Sequence, residues 1–404
     1  MALRAIVHKL PLTRGIKRFL KALLLSTWRV IAPSKARKYV GKKAVYLFMP
    51  INGVGLGHLN RCLSVASALK KQEPDAEVVF LTTSIALPIV HRFGFPCHHV
   101  TPAALAGAEV DPSKWNRLFA NTIEEVMSIY HPKKLIFDGS YPYGGLQKTI
   151  ASYKRKVSFC WIKRGLYKSS VDTARLAKQI RLFDSVIAPR EISVSGNGTT
   201  GLDGALEDGR LYEVNPIYLL EPQEILTRAE AQAELGLDPL KKSAFVQLGA
   251  GNINDIEDSQ KTVVQVLQDV GFQVVVARSP ISLAESSRVT RADRENVDFP
   301  TSRFMNAFDL AVLAGGYNSV CESVVYGVPT IFMPNLATGS DDQLKRVESV
   351  ARLGHFEVIV DFGRDQFLAL VQRVMEKKDG EPREQLSVQL ENGAYEAARA
   401  IRRH

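Results

Sequence analysis

The stretch DLAVLAGGYNSVCESVVYGVPTIFMP, residues 309–334, decides how this 404-residue chain is read. Its apolar opening, Leu310–Ala314, is a buried strand, and Gly315 and Gly316 then form a turn where a ligand and the backbone can approach closely. A helix opens near Asn318 and Ser319, and Thr330–Met333 is the next strand. This order makes one β-α-β unit of a parallel sheet. Open α/β sheets take ligands at such strand ends, and a helix N-terminus favours phosphate. Glu322, one turn into the helix, either accepts hydrogen bonds from two ribose hydroxyls or complements the helix dipole. The polar run Thr338-Gly-Ser-Asp-Asp-Gln343 suits sugar hydroxyls, although Asp341 there could instead cap the following helix.

Working outward, the same alternation fills the second half. Strands are predicted at Ser243–Leu248, Gln273–Ala277 and Glu357–Val360, and the first of them runs into the small-residue loop Gly249-Ala-Gly-Asn-Ile-Asn-Asp255. The first half repeats the pattern at Ala44–Met49, Glu77–Leu81, Lys134–Phe137, Val157–Trp161 and Ser185–Ala188. Between the halves, Ile192–Gly209 dissolves into Ser, Gly, Asn, Thr and Asp, and Pro216, Pro222 and Pro239 follow. The expected organisation is therefore a leader over residues 1–43, α/β domains over 44–215 and 242–375, a linker over 216–241, and a C-terminal helical segment over 376–404.

The first strand of the first half ends in Pro50-Ile-Asn-Gly-Val-Gly-Leu-Gly-His-Leu-Asn-Arg61, with Gly53, Gly55 and Gly57 ahead of a helix. A dinucleotide fingerprint needs glycine three residues after Gly55, and that position is His58, which disfavours a nicotinamide cofactor. His58 either caps the helix or contacts substrate; Arg61 binds an anionic group or is solvated. Asp138, in Phe137-Asp-Gly-Ser-Tyr-Pro142, lies on the same face of the sheet and is the alternative base, or else caps a turn. Arg164, after a further strand, is a phosphate ligand or an ordinary surface cation.

The formal charge of +10 is unevenly placed. Twelve of the 52 Lys and Arg, and none of the 42 Asp and Glu, fall in residues 1–43, leaving 40 against 42 in the rest, a balance of −2. A near-neutral body argues against a nucleic-acid partner. In the leader, Ile16, Phe19, Leu20, Leu23 and Leu24 recur at helical spacing among the basic residues. This amphipathic helix is too short in apolar residues to span a bilayer and fits an anionic membrane surface, or alternatively a transit segment. Cys62, Cys97, Cys160 and Cys321 show no metal or redox spacing, which matches a reducing cytoplasmic location against the inner face of the membrane.

Taken together, the Gly53-x-Gly-x-Gly-His58 loop, the Gly249–Asn252 loop and the run Gly315-Gly316…Glu322…Gly327-x-Pro329…Asp342-Gln343 resemble the GT-B glycosyltransferases over roughly residues 44–375. Within that family the pattern is most similar to the group that forms lipid II in peptidoglycan synthesis. The resemblance implies an α/β chain of two Rossmann-like domains facing a cleft and inverting transfer from a nucleotide-sugar, UDP-linked by analogy, with no obligatory metal or cofactor. It implies a glycan or lipid-linked acceptor. It places Gly249, Gly251 and Asn252 near the diphosphate, and Gly315, Gly316, Asn318 and Ser319 near the nucleotide. Glu322 then falls on the ribose, Asp342 and Gln343 on the donor sugar, and His58 at the reacting centre. Gly55, Gly57, Arg61 and Arg164 fall on the acceptor or phosphate side. The second-domain loop departs from the family's Gly-Gly-Ser-rich form. A nucleotide-sugar hydrolase or epimerase on the same fold, or a non-catalytic nucleotide-sugar binder, are the competing expectations.

Overall fold

The computed structural model describes residues 43–51, 55–107, 110–192, 209–249, 257–278, 280, 292–296, 298–353, 355–379 and 390–403. The expected leader helix, Gly53, Gly251, Asn252 and nearly all of the expected Ile192–Gly209 connection lie outside them. Residues 43–404 form one compact unit.

Two wholly parallel sheets carry the fold. The first contains β1 (Val45–Pro50), β2 (Glu77–Thr82), β3 (Cys97–His99), β4 (Lys134–Asp138), β5 (Ser158–Ile162), β6 (Ser185–Pro189) and β7 (Leu211–Val214), in the order β3-β2-β1-β4-β5-β6-β7. The second contains β8 (Ser243–Gln247), β9 (Gln273–Ala277), β10 (Arg294–Asn296), β11 (Leu310–Leu313), β12 (Thr330–Phe332) and β13 (Phe356–Val358), in the order β10-β9-β8-β11-β12-β13. In each sheet the order reverses beside a central strand, which opens a crevice at the strands' carboxyl ends.

All ten strands expected from the apolar runs are present. The three that were missed, β3, β7 and β10, are short edge strands reading CHH, LYEV and REN. An edge strand is not buried on both faces, so it lacks the continuous apolar signature of a central parallel strand. β7 follows the Ser- and Gly-rich stretch and still pairs with β6 of the first sheet, within the span 44–215.

Residue alternation along β1 shows how each sheet is sandwiched. Tyr46 and Phe48 point to one apolar layer with helix α1 (Gly57–Gln72), while Val45, Leu47 and Met49 point to the other. In that second layer lie α2 (Pro112–Tyr130) and α3 (Gly144–Tyr153), through Trp115, Phe119 and Leu146. The second sheet is covered in the same way, with α4 (Tyr317–Val325) and α5 (Gln343–Val350) on the face of Phe245 and Leu313.

The last helix, α6 (Gly393–Arg403), returns to the first domain. Ala394, Ala397, Ala398 and Ile401 join the layer of Tyr46 and Phe48. Lys134 Nζ donates to the Ile401 carbonyl at 2.7 Å, and a Cβ at Gly393 would collide with the Asn215 carbonyl oxygen. Sequence alone left this crossing undetermined.

Candidate active site

Residues from the carboxyl ends of both sheets line a single cleft of about 410 Å³. From the first sheet come Gly55, Gly57, His58, Asn60, Arg61 and Arg164, and from the second Gly249, Gly316, Asn318, Ser319, Glu322 and Gln343. Helices α1 and α4 both start at its rim, and neither has a side-chain cap on its first turn. Uncapped first-turn N–H groups are open donors, so two helix N-termini, one from each domain, face the same space.

On the first-domain side the residues form a tight cluster around Asp138, whose carboxylate is wholly buried. Arg61 Nε donates to Oδ2 at 2.8 Å and Arg61 Nη2 to Oδ1 at 2.6 Å. His58 Nδ1 lies 2.6 Å from Oδ1. Two lone pairs at that distance would repel, which assigns the imidazole proton to Nδ1 and leaves Nε2 unprotonated. Burial holds the His58 pKa below its ordinary value of 6.5 and outweighs the opposing pull of Asp138; Arg61 and Arg164 act in the same direction as burial. The Asp138 carboxyl is also depressed, because the attraction of Arg61 and then of His58, with their hydrogen bonds, overcomes burial. The backbone beneath is fixed: the carbonyls of Asp138, Gly139 and Ser140 accept from Ile51 N (2.8 Å), Trp161 Nε1 (3.1 Å) and Lys163 Nζ (2.6 Å).

On the second-domain side, Glu322 is 8% exposed and burial pushes its carboxyl up to about 7. The Asn60 and Ser302 side chains favour its charged form, and Asn60 Oδ1 is itself buried without a hydrogen-bond partner. A buried carboxylate beside an unfilled amide oxygen is a socket for hydroxyl groups. Native Glu322 stays protonated up to about pH 7 while the unfolded residue ionises near 4.5, so its contribution to stability is lost as pH rises through that window. Glu322→Gln is therefore expected to raise the melting temperature at pH 8 more than at pH 5, by about 2 kcal/mol of added stability, while weakening donor binding. Equal shifts at the two pH values would mean that the carboxyl ionises in the fold as it does in the unfolded chain.

Two expected residues fall elsewhere, and a third is engaged within the protein. Asp342 Oδ1 accepts from Lys345 N at 3.0 Å and caps α5, away from the cleft lining. Gly315 is required by packing: a Cβ there would come within 2.9 Å of Val347 Cγ1. Gln343 lines the cleft, but its Oε1 accepts from Asn335 N at 2.9 Å. Gly249 has φ +106, a left-handed backbone that favours glycine.

An ion cluster that no motif in the sequence marks ties the domains together. Arg346 is completely buried and donates to Glu191 (2.7 and 3.0 Å), to Asp341 (3.0 and 2.6 Å) and to the Gly315 carbonyl (3.0 Å). Arg164 reaches Asp341 and Glu191 at 3.2 and 3.4 Å, and its buried Nε has no partner. The Tyr317 ring lies 4.8 Å from the Arg164 guanidinium, and its hydroxyl accepts from Ile217 N at 3.0 Å. Beside the cluster, Lys168 N donates to Ser340 O and Asp342 N to Leu166 O, a short interdomain backbone pairing. Nothing in the polar pattern of 343–350 distinguishes Arg346 from a solvated arginine.

Among the described residues no group of three or more His, Cys, Asp or Glu is arranged to hold a metal ion, and no helix is long and apolar enough to cross a membrane.

Two α/β domains around such a cleft define the GT-B glycosyltransferase fold, and solved structures agree. MurG of Acinetobacter baumannii superposes with TM-score 0.55 at 12% identity, covering 90% of this chain and 100% of that one. A putative UDP-N-acetylglucosamine 2-epimerase from Listeria monocytogenes gives 0.56 at 10%, covering 89% and 94%. In sequence, the chain is similar to the UDP-N-acetylglucosamine--N-acetylmuramyl-(pentapeptide) pyrophosphoryl-undecaprenol N-acetylglucosamine transferase of Nocardioides sp., at 24% identity over 316 residues, 74% of this chain and 80% of that enzyme. No protein-family model matches.

Proposed function

We propose that this chain is an inverting glycosyltransferase that moves N-acetylglucosamine from a UDP-linked donor to a lipid-linked acceptor. The observation that carries the reading is the His58–Asp138 pair, with His58 on the first turn of α1, facing the uncapped N-terminus of α4 across one cleft. The acceptor hydroxyl attacks the anomeric carbon from the face opposite the diphosphate. As the new C–O bond forms, the bond to the diphosphate breaks, and the hydroxyl proton passes to His58 Nε2. Asp138, with both oxygens occupied, orients His58 and stabilises the imidazolium that results. The first-turn N–H groups of α4 and the half-engaged Arg164 offset charge on the departing diphosphate. Glu322, Asn60 and Ser302 receive the ribose hydroxyls. No metal is required by this scheme.

The test is incubation of the full chain with UDP-N-acetylglucosamine, with and without a lipid-linked N-acetylmuramyl pentapeptide diphosphate. The expected result is acceptor-dependent transfer with inversion at the anomeric carbon, and an acid limb of kcat below pH 6.5, since only the neutral imidazole takes a proton. Rapid loss of donor without acceptor would favour a hydrolase or epimerase; tight donor binding with no turnover would favour a non-catalytic binder.

The basic leader completes the reading: twelve positive charges with no acid in residues 1–43 suit an anionic membrane surface on the cytoplasmic side, where a lipid-linked acceptor would be met. Deleting residues 1–40 is expected to abolish sedimentation with anionic liposomes. Undiminished co-sedimentation of the shortened chain would reject this assignment.

A further inference from the structure

One side chain of the second domain reaches into the base cluster of the first. Tyr317 is the first residue of α4, and it lines the cleft together with His58, Arg61 and Arg164. Its hydroxyl both accepts and donates, from Ile217 N at 3.0 Å and to Arg190 O at 3.2 Å. Burial holds the pKa of that hydroxyl well above its ordinary value, so the ring carries no charge of its own. At 4% exposure, the ring cannot swing away without breaking both bonds.

Three guanidinium groups surround it. Their central carbons lie 4.8 Å (Arg164), 5.8 Å (Arg61) and 6.0 Å (Arg346) from the ring centroid, within the range of cation–π attraction. Of the three, Arg61 serves the base. Its Nε and Nη2 donate to the two oxygens of Asp138, and Nη2 lies 3.1 Å from His58 Nδ1, where both groups share Oδ1. The charged groups facing His58 are Asp138 at the end of β4, Arg61 one turn along its own helix and Arg164 after β5, while Glu322 and Asp341 line the opposite wall of the cleft. Asp138 favours the imidazolium, and Arg61 and Arg164 oppose it. How much of the Asp138 charge reaches His58 therefore depends on how closely Arg61 is held to that carboxylate.

We propose that Tyr317 is a positioning residue for the transfer step: its ring, carried by the helix that faces the donor, holds Arg61 on Asp138 and thereby sets the His58–Asp138 pair. The inference rests on the transferase reading, in which His58 takes the acceptor proton. It deepens that reading, because one residue at the start of α4 then links the base in the first domain to the helix N-terminus that receives the departing diphosphate.

The test reads the resting protein, without turnover. The full chain is isotope-labelled at histidine and arginine nitrogen, His58→Ala and Arg61→Lys identify the signals, and His58 is titrated while exchange of Arg61 Nε–H is followed. Tyr317→Met fills the space without a π face, and Tyr317→Phe keeps the ring without the hydroxyl. In Tyr317→Met the His58 midpoint is expected to rise by about one pH unit, a roughly tenfold gain in proton affinity, because a looser Arg61 leaves more of the Asp138 charge to the imidazole. Arg61 Nε–H is expected to exchange about tenfold faster there, and Tyr317→Phe to match the wild type in both measurements. Lys168 N–H, whose bond to Ser340 O crosses the same domain junction, is expected to keep its protection in every variant. An unchanged His58 midpoint or unchanged Arg61 exchange in Tyr317→Met would overturn the proposal. So would a parallel loss of protection at Lys168, which would mark Tyr317 as a part of the junction alone. Should Tyr317→Met not fold, Tyr317→Phe decides: Arg61 exchange at the wild-type rate supports the ring as the holding element, and faster exchange overturns it. A chain that consumed donor without acceptor would sink the transferase reading and leave these measurements standing.

Discussion

Replacing Asp138 with Asn is expected to lower kcat by about 10³- to 10⁴-fold, although the side chain keeps its size and place. The carboxylate accepts three hydrogen bonds, two from Arg61 and one from His58. An amide cannot accept on both sides. If its NH₂ turns toward His58, the imidazole proton is driven to Nε2 and the nitrogen facing the cleft can no longer take a proton. If the NH₂ turns toward Arg61, it meets the Nε–H donor head-on. Either way Arg61, 3% exposed, loses part of its counter-charge, and removing one partner of a buried ion pair costs about 3 kcal/mol. Steady-state kinetics and thermal melts on the same preparation separate the two effects. His58→Ala is expected to lower kcat about as far, within the roughly 10²- to 10⁴-fold given by general base catalysis, with much less loss of stability because Arg61 keeps Asp138. The double variant should be little worse than either single one, as for groups acting as a unit. Multiplicative losses would show that Asp138 acts apart from His58.

Arg346→Met carries the largest expected change in stability, a loss of about 3 to 5 kcal/mol. Methionine fills much of the volume, but the Glu191 and Asp341 carboxylates are left to repel each other beside Gly315 O, with only the longer bonds from Arg164. Asp341 lies far below the ordinary carboxylate range, because Arg164 and Arg346 outweigh burial. Its contribution is thus fully present above the unfolded value near 3.8, and is lost only as pH falls further toward the native one. The difference between wild type and Arg346→Met should therefore stay constant from pH 5 to 8 and narrow in acid. Adding Glu191→Leu and Asp341→Leu should recover most of the loss, since a buried ion cluster replaced whole by apolar groups is close to neutral in stability. A single variant melting within 1 °C of wild type would mean that the cluster is solvated and does not join the domains; about 3 kcal/mol corresponds to several degrees in a chain of this size.

Much of this architecture could be read directly because central parallel strands are buried on both faces and must be written as unbroken apolar runs, as in Phe245-Val246 or Leu310–Leu313. The glycine turns after β1, β8 and β11 were equally legible, since close backbone approach and left-handed φ leave a compositional mark. The edge strands and the return of α6 were not, because CHH, REN and an alanine-rich helix have no pattern that names a partner.

At the candidate site the division follows the same physics. Periodicity and turn composition mark the residues that stand at strand ends and helix starts: His58, Asp138, Glu322, and the glycines beside them. That is a local property, set by periodicity and turn chemistry. Folding sets what each one does. Asp138 proves to be saturated by Arg61 and His58, Asp342 spends its carboxylate on a helix cap, and Gly315 yields to Val347. It also brought Arg346 to Glu191, 155 residues away in the chain, and Tyr143 to the edge of Trp115. A side chain's proton, charge and reach depend on its neighbours across the fold, and those neighbours are chosen by packing, which the chain does not spell out locally.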